Sequence, residues 1–161
     1  MTTGKSKSNV SDPWGRALRL LTRRDRSTAE LTAKLVQDGF SSAQIEATLG
    51  KCREYNYLDD NRYARERARS LMRSGRGVGR KILDDLRQRG IDEKTADQAL
   101  QHASQEFDYQ LILRELLERR FPDFTIATAS ANERQRIVHY LQRRGFTLEQ
   151  IFAALDRFGT N

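Results

Sequence analysis

The sequence predicts an all-α protein: an elongated, curved array of three tandem three-helix repeats built from helix-turn-helix-like units. Three observations carry this. One seven-position pattern occurs three times in register, as Leu31, Leu35, Gly39, Phe40, Ser41, Ile45, Leu49; Ile82, Leu86, Gly90, Ile91, Asp92, Ala96, Leu100; and Ile137, Leu141, Gly145, Phe146, Thr147, Ile151, Leu155. Its glycines stand 51 and 55 residues apart, the spacing of one repeated supersecondary unit. No stretch shows period-two alternation bounded by turn residues, so no strand is expected. Finally, 37% of the chain is hydrophobic and 32% charged, a composition that units packing mainly on their neighbours tolerate better than one sphere does.

Each copy of the pattern reads as a helix ending and another beginning. Apolar residues four apart share a helix face, and the glycine stands at C′, where positive φ is cheap only for glycine. Ser41, Asp92 or Thr147 follows as N-cap. Phe40, Ile91 and Phe146 then fall at N′ and Ile45, Ala96 and Ile151 at N4, the two ends of a hydrophobic staple, while Gln44 and Gln150 complete capping boxes.

In chain order, residues 1–11 are polar, contain Lys5 and Lys7, and read as a disordered tail. Repeat one spans 12–57. Asp12 caps a helix with Pro13 at N1 and Trp14, Ala17, Leu18 and Leu21 on its inner face. Ser27 and Glu30 box the start of a second helix ending at Gly39, and a third runs from about Ser42 to Tyr55. Repeat two spans 58–106: Leu58-Asp59-Asp60 supplies an acidic first turn for a helix reaching about Ser74. Gly75, Gly77 and Gly79 space a link to the helix ending at Gly90, and a third runs from Asp92 to about Glu106. Repeat three spans 107–158, opening with Leu111, Ile112, Leu116 and Leu117. Pro122 breaks that helix, 122–132 form a longer loop, and two helices complete the repeat.

The lone Cys52 excludes an internal disulfide and falls on the apolar face of its helix, as a buried, inert thiol in a reducing compartment. No apolar run approaches the roughly 18 residues of a membrane span, and the N-terminus lacks a secretory hydrophobic stretch. A cytoplasmic protein is expected. It is expected to be a monomer, because no spare long apolar stripe remains for self-association.

The formal charge of +7 is localised. Between Arg62 and Arg89 stand ten basic residues against three acidic ones, Glu66, Asp84 and Asp85, and the rest of the chain balances. Arg62, Arg65, Arg69, Arg73 and Arg76 step by three or four, which holds them in a stripe roughly 80° wide. Ala64, Ala68 and Leu71 point the other way. A solvated helix face usually mixes signs, whereas this one carries Glu66 as its only acid past the first turn, so it reads as facing an anion: phosphate backbone or an acidic protein surface. Arginine suits a surface buried in a complex, since its planar fork contacts phosphate or carboxylate bidentately and is weakly hydrated.

No catalytic constellation is visible, and no cofactor is expected. His102 and His139 stand far apart without partners at metal-ligand spacing. The three link glycines follow no strand and so do not form a nucleotide loop. Asp59 and Asp60 read as cap and dipole partners.

Tyr57-Leu58-Asp59-Asp60-Asn61-Arg62-Tyr63-Ala64, the basic glycine-spaced link, and Ile82, Leu86, Gly90 and Ile91 resemble the signature of the RecX family of bacterial regulatory proteins. Arg26-Ser27, Glu30-Leu31 and Leu35 are similar to its opening segment, so the resemblance covers Trp14 to Phe158. Asn56 stands where the family commonly has Gly, and the link lacks a proline often found there. The resemblance implies a non-enzymatic helical array that restrains the RecA recombinase, lodging in the groove of its filament on single-stranded DNA. Such a protein depresses filament growth, ATP hydrolysis, strand exchange and co-protease activity towards the SOS repressor, and so acts in DNA repair and homologous recombination. Its partners are then RecA, single-stranded DNA and, more weakly, duplex DNA. The contact is expected at Arg62, Arg65, Arg69, Arg73 and Arg76, helped by Arg80, Lys81 and Arg87.

The alternative is a free-standing DNA-binding regulator with helix-turn-helix-like units. A recognition helix should present polar base-reading residues, whereas the helices after the repeated glycines carry acids such as Glu46, Asp92, Glu93 and Asp97.

Overall fold

The computed structural model describes residues 12–158, so the expected N-terminal tail lies outside the described residues. Among these, nine helices and no strand are present: α1 (Pro13–Arg23), α2 (Thr28–Gln37), α3 (Ser42–Glu54), α4 (Asp60–Arg73), α5 (Arg80–Gln88), α6 (Glu93–Glu106), α7 (Tyr109–Arg120), α8 (Ala131–Arg143) and α9 (Leu148–Phe158).

The helix ends follow the repeated pattern closely. Gly39, Gly90 and Gly145 have φ of +88°, +75° and +101°. The next amide in each case, from Phe40, Ile91 or Phe146, donates back to the carbonyl of Leu35, Leu86 or Leu141 at 3.2, 3.0 and 3.3 Å. This is the 6→1 bond of a Schellman stop, which satisfies a carbonyl the helix leaves open. Ser41 and Gln44 then form a reciprocal capping box, as do Thr147 and Gln150, and Asp92 accepts from the amide of Thr95. Asn56, at φ +58°, performs the same stop with Tyr57 N donating to Cys52 O at 2.8 Å. Asparagine is among the few non-glycine residues that visit this region readily, so the turn survives the departure from glycine.

The chain divides into two compact units, the first ending at Asp60 and the second beginning at Asn61. In the first, α1, α2 and α3 pack pairwise around Ala17, Leu20, Leu31, Leu35, Ile45, Leu49, Cys52 and Leu58. Leu20 takes the buried place on α1, and Leu18, expected on the inner face, is only half-buried. At 100° per residue Leu18 lies about 90° from the centre of the stripe formed by Trp14, Ala17, Leu20 and Leu21. Burial pushes the Cys52 thiol up in pKa, as an inert core cysteine requires. Of the acidic pair, Asp60 is structural: its Oδ1 accepts from Thr28 N at the start of α2 at 2.7 Å, and Leu58 before the pair is buried in this core.

The second unit holds α4 to α9 on one continuous core, in which Met72, Val78, Ile82 and Leu86 join Leu113, Leu116, Leu117, Leu141 and Ile151. Repeats two and three therefore share their hydrophobic interior. Leu111, one of the apolar residues that opens repeat three, is 53% exposed, and Leu113 is buried instead. Leu111 sits about 170° from the centre of the stripe made by Ile112, Leu113, Leu116 and Leu117.

Candidate partner-binding surface

Helix α4 is amphipathic because its small and apolar residues recur at helical spacing. Tyr63, Ala64, Ala68, Leu71 and Met72 are buried, while Arg62, Arg65, Arg73 and Arg76 are exposed and Arg69 is half-buried. Arg62, Arg65 and Arg73 thus share the exposed side of α4, whereas Arg76, expected on the same helical stripe, lies in the link beyond it, because α4 stops at Arg73 and Gly75 turns the chain at φ +65°. These charges differ in what they touch. Arg65, Arg73, Arg76, Arg80 and Lys81 make no side-chain hydrogen bond or ion pair among the described residues. Arg69 bridges Glu66 at 3.1 Å and Glu106 of α6 at 2.8 Å, and its Nε is buried without a partner. The hydrogen bond from Arg69 holds the Glu106 carboxyl below its ordinary range. Arg87 pairs with Asp84 at 3.3 Å. Arg62, Arg65 and Arg69 line a cleft whose other wall is His102, Ala103 and Glu106.

Two further arginines of the basic window are internal fasteners. Arg67 donates two hydrogen bonds to Asp85 at 2.9 and 2.8 Å, and Arg89 donates to the same carboxylate at 2.9 Å and to Tyr63 Oη at 3.2 Å. This network ties α4 to α5, which orients the ridge. Burial raises the Asp85 pKa, but the hydrogen bonds and charges of Arg67 and Arg89 outweigh it and hold the carboxyl below the ordinary range. A depressed carboxylate contributes stability that is present above its unfolded pKa and lost as pH falls through its folded one. Asp85→Asn is therefore expected to cost about 2 kcal/mol near neutral pH, the range for hydrogen bonds to charged groups. In urea denaturation the gap from the parent should narrow as pH drops below the carboxylate range; a constant gap would contradict the assignment.

The link between α4 and α5 is held from repeat three. Val78 N donates to Arg144 O at 2.8 Å, Arg144 Nη1 donates to Gly75 O at 2.8 Å, and Arg119 Nη2 reaches Ser74 O at 3.5 Å. These contacts fix the link that carries Arg76 and leads into Arg80 and Lys81 at the start of α5. Glu106, Arg119 and Arg144 were not apparent as parts of this surface from sequence, because each arrives from 30 or more residues away. No helix among the described residues is long and apolar enough to cross a membrane, and no group of three or more His, Cys, Asp or Glu among them could hold a metal ion.

Family models for the first, second and third three-helix domains of RecX match residues 14–52, 59–100 and 108–155. Regulatory protein RecX of Syntrophotalea carbinolica is 46% identical over 142 residues, covering 88% of this chain and 93% of that protein. The corresponding protein of Vibrio parahaemolyticus is 36% identical, covering 87% of each. The crystal structure of RecX from Lactobacillus salivarius superposes with a TM-score of 0.71 at 21% identity, covering 92% of this chain and 96% of that one, and shares the fold. With three domain matches in tandem and relatives aligned nearly end to end, the chain belongs to the RecX family of regulatory proteins.

Proposed function

We propose that this protein is a negative regulator of RecA. In this reading it binds in the groove of the RecA filament on single-stranded DNA and inhibits filament growth, ATP hydrolysis, strand exchange and co-protease activity. It works as a cytoplasmic monomer without a cofactor. The observation that carries the reading, beside family membership, is the run of arginines on α4 and the link after it: Arg65, Arg73 and Arg76 are exposed and make no side-chain hydrogen bond or ion pair among the described residues, and Arg80 and Lys81 are exposed at the start of α5. Exposed, unpaired guanidinia close together in the chain match a phosphate backbone or an acidic groove wall. Arg69 and Arg87, by contrast, act within the protein through their carboxylate partners.

The test is RecA-catalysed, single-strand-dependent ATP hydrolysis with substoichiometric protein added. Progressive inhibition that weakens as salt is raised is expected, since contacts between exposed charges are screened within about 10 Å at 0.1 M salt. Unchanged hydrolysis with the folded protein present would reject the reading.

A further inference from the structure

We infer that repeat three carries a second binding surface, for single-stranded nucleic acid, in the cleft between the end of α7 and the outer face of α8. The cleft is lined by Arg120, Phe121, Arg136, His139, Tyr140 and Arg143, none of them acidic; Asp123 and Glu133 stand in the adjoining hollow, which shares Arg120, Phe121 and Arg136. By residue count repeat three is almost neutral, which hides this feature, but its charges are segregated in space. From Arg119 to Arg144 six arginines stand against Asp123 and Glu133, and the Glu133 carboxylate is held by the Ser130 amide and hydroxyl at the start of α8.

The chemistry of the lining selects the occupant. Arg136 and Arg143 lie on one face of α8, seven residues and about 10 Å apart along the axis. That separation lets each guanidinium meet a different phosphate of one strand. Neither makes a hydrogen bond or ion pair through its side chain among the described residues. Between them Tyr140 meets Phe121 edge to face, with ring centroids 5.3 Å apart. The Arg144 guanidinium lies 4.5 Å from the Tyr140 ring centre and that of Arg120 lies 6.0 Å from the Phe121 ring centre. Layered rings and guanidinium planes among free cations are the lining on which unpaired bases stack while the backbone follows the charge. A duplex keeps its bases stacked on one another, and a polyglutamate chain offers no ring to stack, so neither uses the aromatic floor. The surface also adjoins the ridge. Arg144 and Arg119 bind the carbonyls of Gly75 and Ser74 at the end of α4, so a strand leaving the cleft runs towards Arg73 and Arg76.

The experiment is fluorescence anisotropy of a labelled oligothymidylate with the full chain and no RecA, beside a duplex of equal length and polyglutamate as competitor. Arg136→Glu with Arg143→Glu, both at exposed positions, should weaken single-strand binding at least about tenfold. It should also lower the slope of log affinity against log salt by about 1.4, since each phosphate contact on a single strand contributes about 0.7. Tyr140→Leu should weaken single-strand binding at least about fivefold and leave duplex binding unchanged, while Tyr140→Phe retains both. Single-strand affinity unmoved by the double reversal would overturn the inference. So would equal losses on duplex and single strand in Tyr140→Leu, equal losses in Tyr140→Phe and Tyr140→Leu, or polyglutamate competing as well as oligothymidylate. Because RecA is absent, a failure here leaves the regulator reading standing, and a failure of the ATP hydrolysis test leaves this one standing.

Discussion

Replacing Arg65, Arg73 and Arg76 together by glutamate should raise the protein concentration that half-inhibits RecA ATP hydrolysis by about thirtyfold or more. Each exposed ion pair contributes about 0.5–1 kcal/mol, and reversal replaces attraction by repulsion, so three sites sum to at least about 2 kcal/mol, a factor of about 30. These three are chosen over Arg69 because Arg69 holds Glu66 and Glu106, and reversing it would set three acids against one another. All three side chains are exposed, and circular dichroism should show helicity close to that of the parent. A matched control reverses Arg19, Arg23 and Arg53, exposed residues of the first unit, and lowers the net charge equally. Inhibition within twofold of the parent in the control and lost in the ridge variant assigns the effect to place rather than total charge. Equal losses in both would reduce the ridge to a general electrostatic effect.

The repeat was legible because its information is local. A glycine at C′, a cap two residues on and apolar residues at fixed offsets all act within one turn of each other, and the three glycines and three caps follow the pattern, with the staple residues buried in all three copies except for Phe40, which is half-buried. The outward direction of Arg62, Arg65 and Arg73 was legible for the same reason, since 100° per residue is enough to place a side chain on a helix face; that of Arg76 was not, because the helix stops before it at Gly75. What those arginines touch was not. Glu106 reaches Arg69 from 37 residues away, and Asp85 gathers Arg67 and Arg89 from two helices, so a count of charges in a window overstated how many face outward. The arginines of repeat three escaped for the opposite reason: Arg120 and Arg143 come from helices separated by a loop, and nearby acids cancel them in any tally by sequence.

The repeated glycines also differ in a way their shared pattern conceals, and Gly145→Ala should be more destabilising than Gly39→Ala. A Cβ at Gly145 would lie 2.0 Å from Val78 O, 3.0 Å from Val78 C and 2.9 Å from Lys81 Cβ, with φ at +101°. The α8–α9 turn rests backbone to backbone on the link that presents Arg76, Arg80 and Lys81, and Val78 N donates to Arg144 O across the same contact. No rotamer change relieves a clash with a carbonyl, so either the link or the turn must move. Gly39→Ala is the control: φ is +88°, and nothing lies within 4 Å of the added carbon. It incurs only the left-handed backbone cost, roughly 1–2 kcal/mol. Gly145→Ala adds overpacking against rigid backbone, roughly 1–3 kcal/mol more, giving about 3 kcal/mol in all. For a chain of this size that lowers Tm by about 6 °C or more. Because the strain falls on the link, inhibition of RecA should weaken in Gly145→Ala even below its unfolding transition and persist in Gly39→Ala. Equal losses of stability in the two variants would mean that the turn and the link do not touch as described, and that the glycine serves only its helix end.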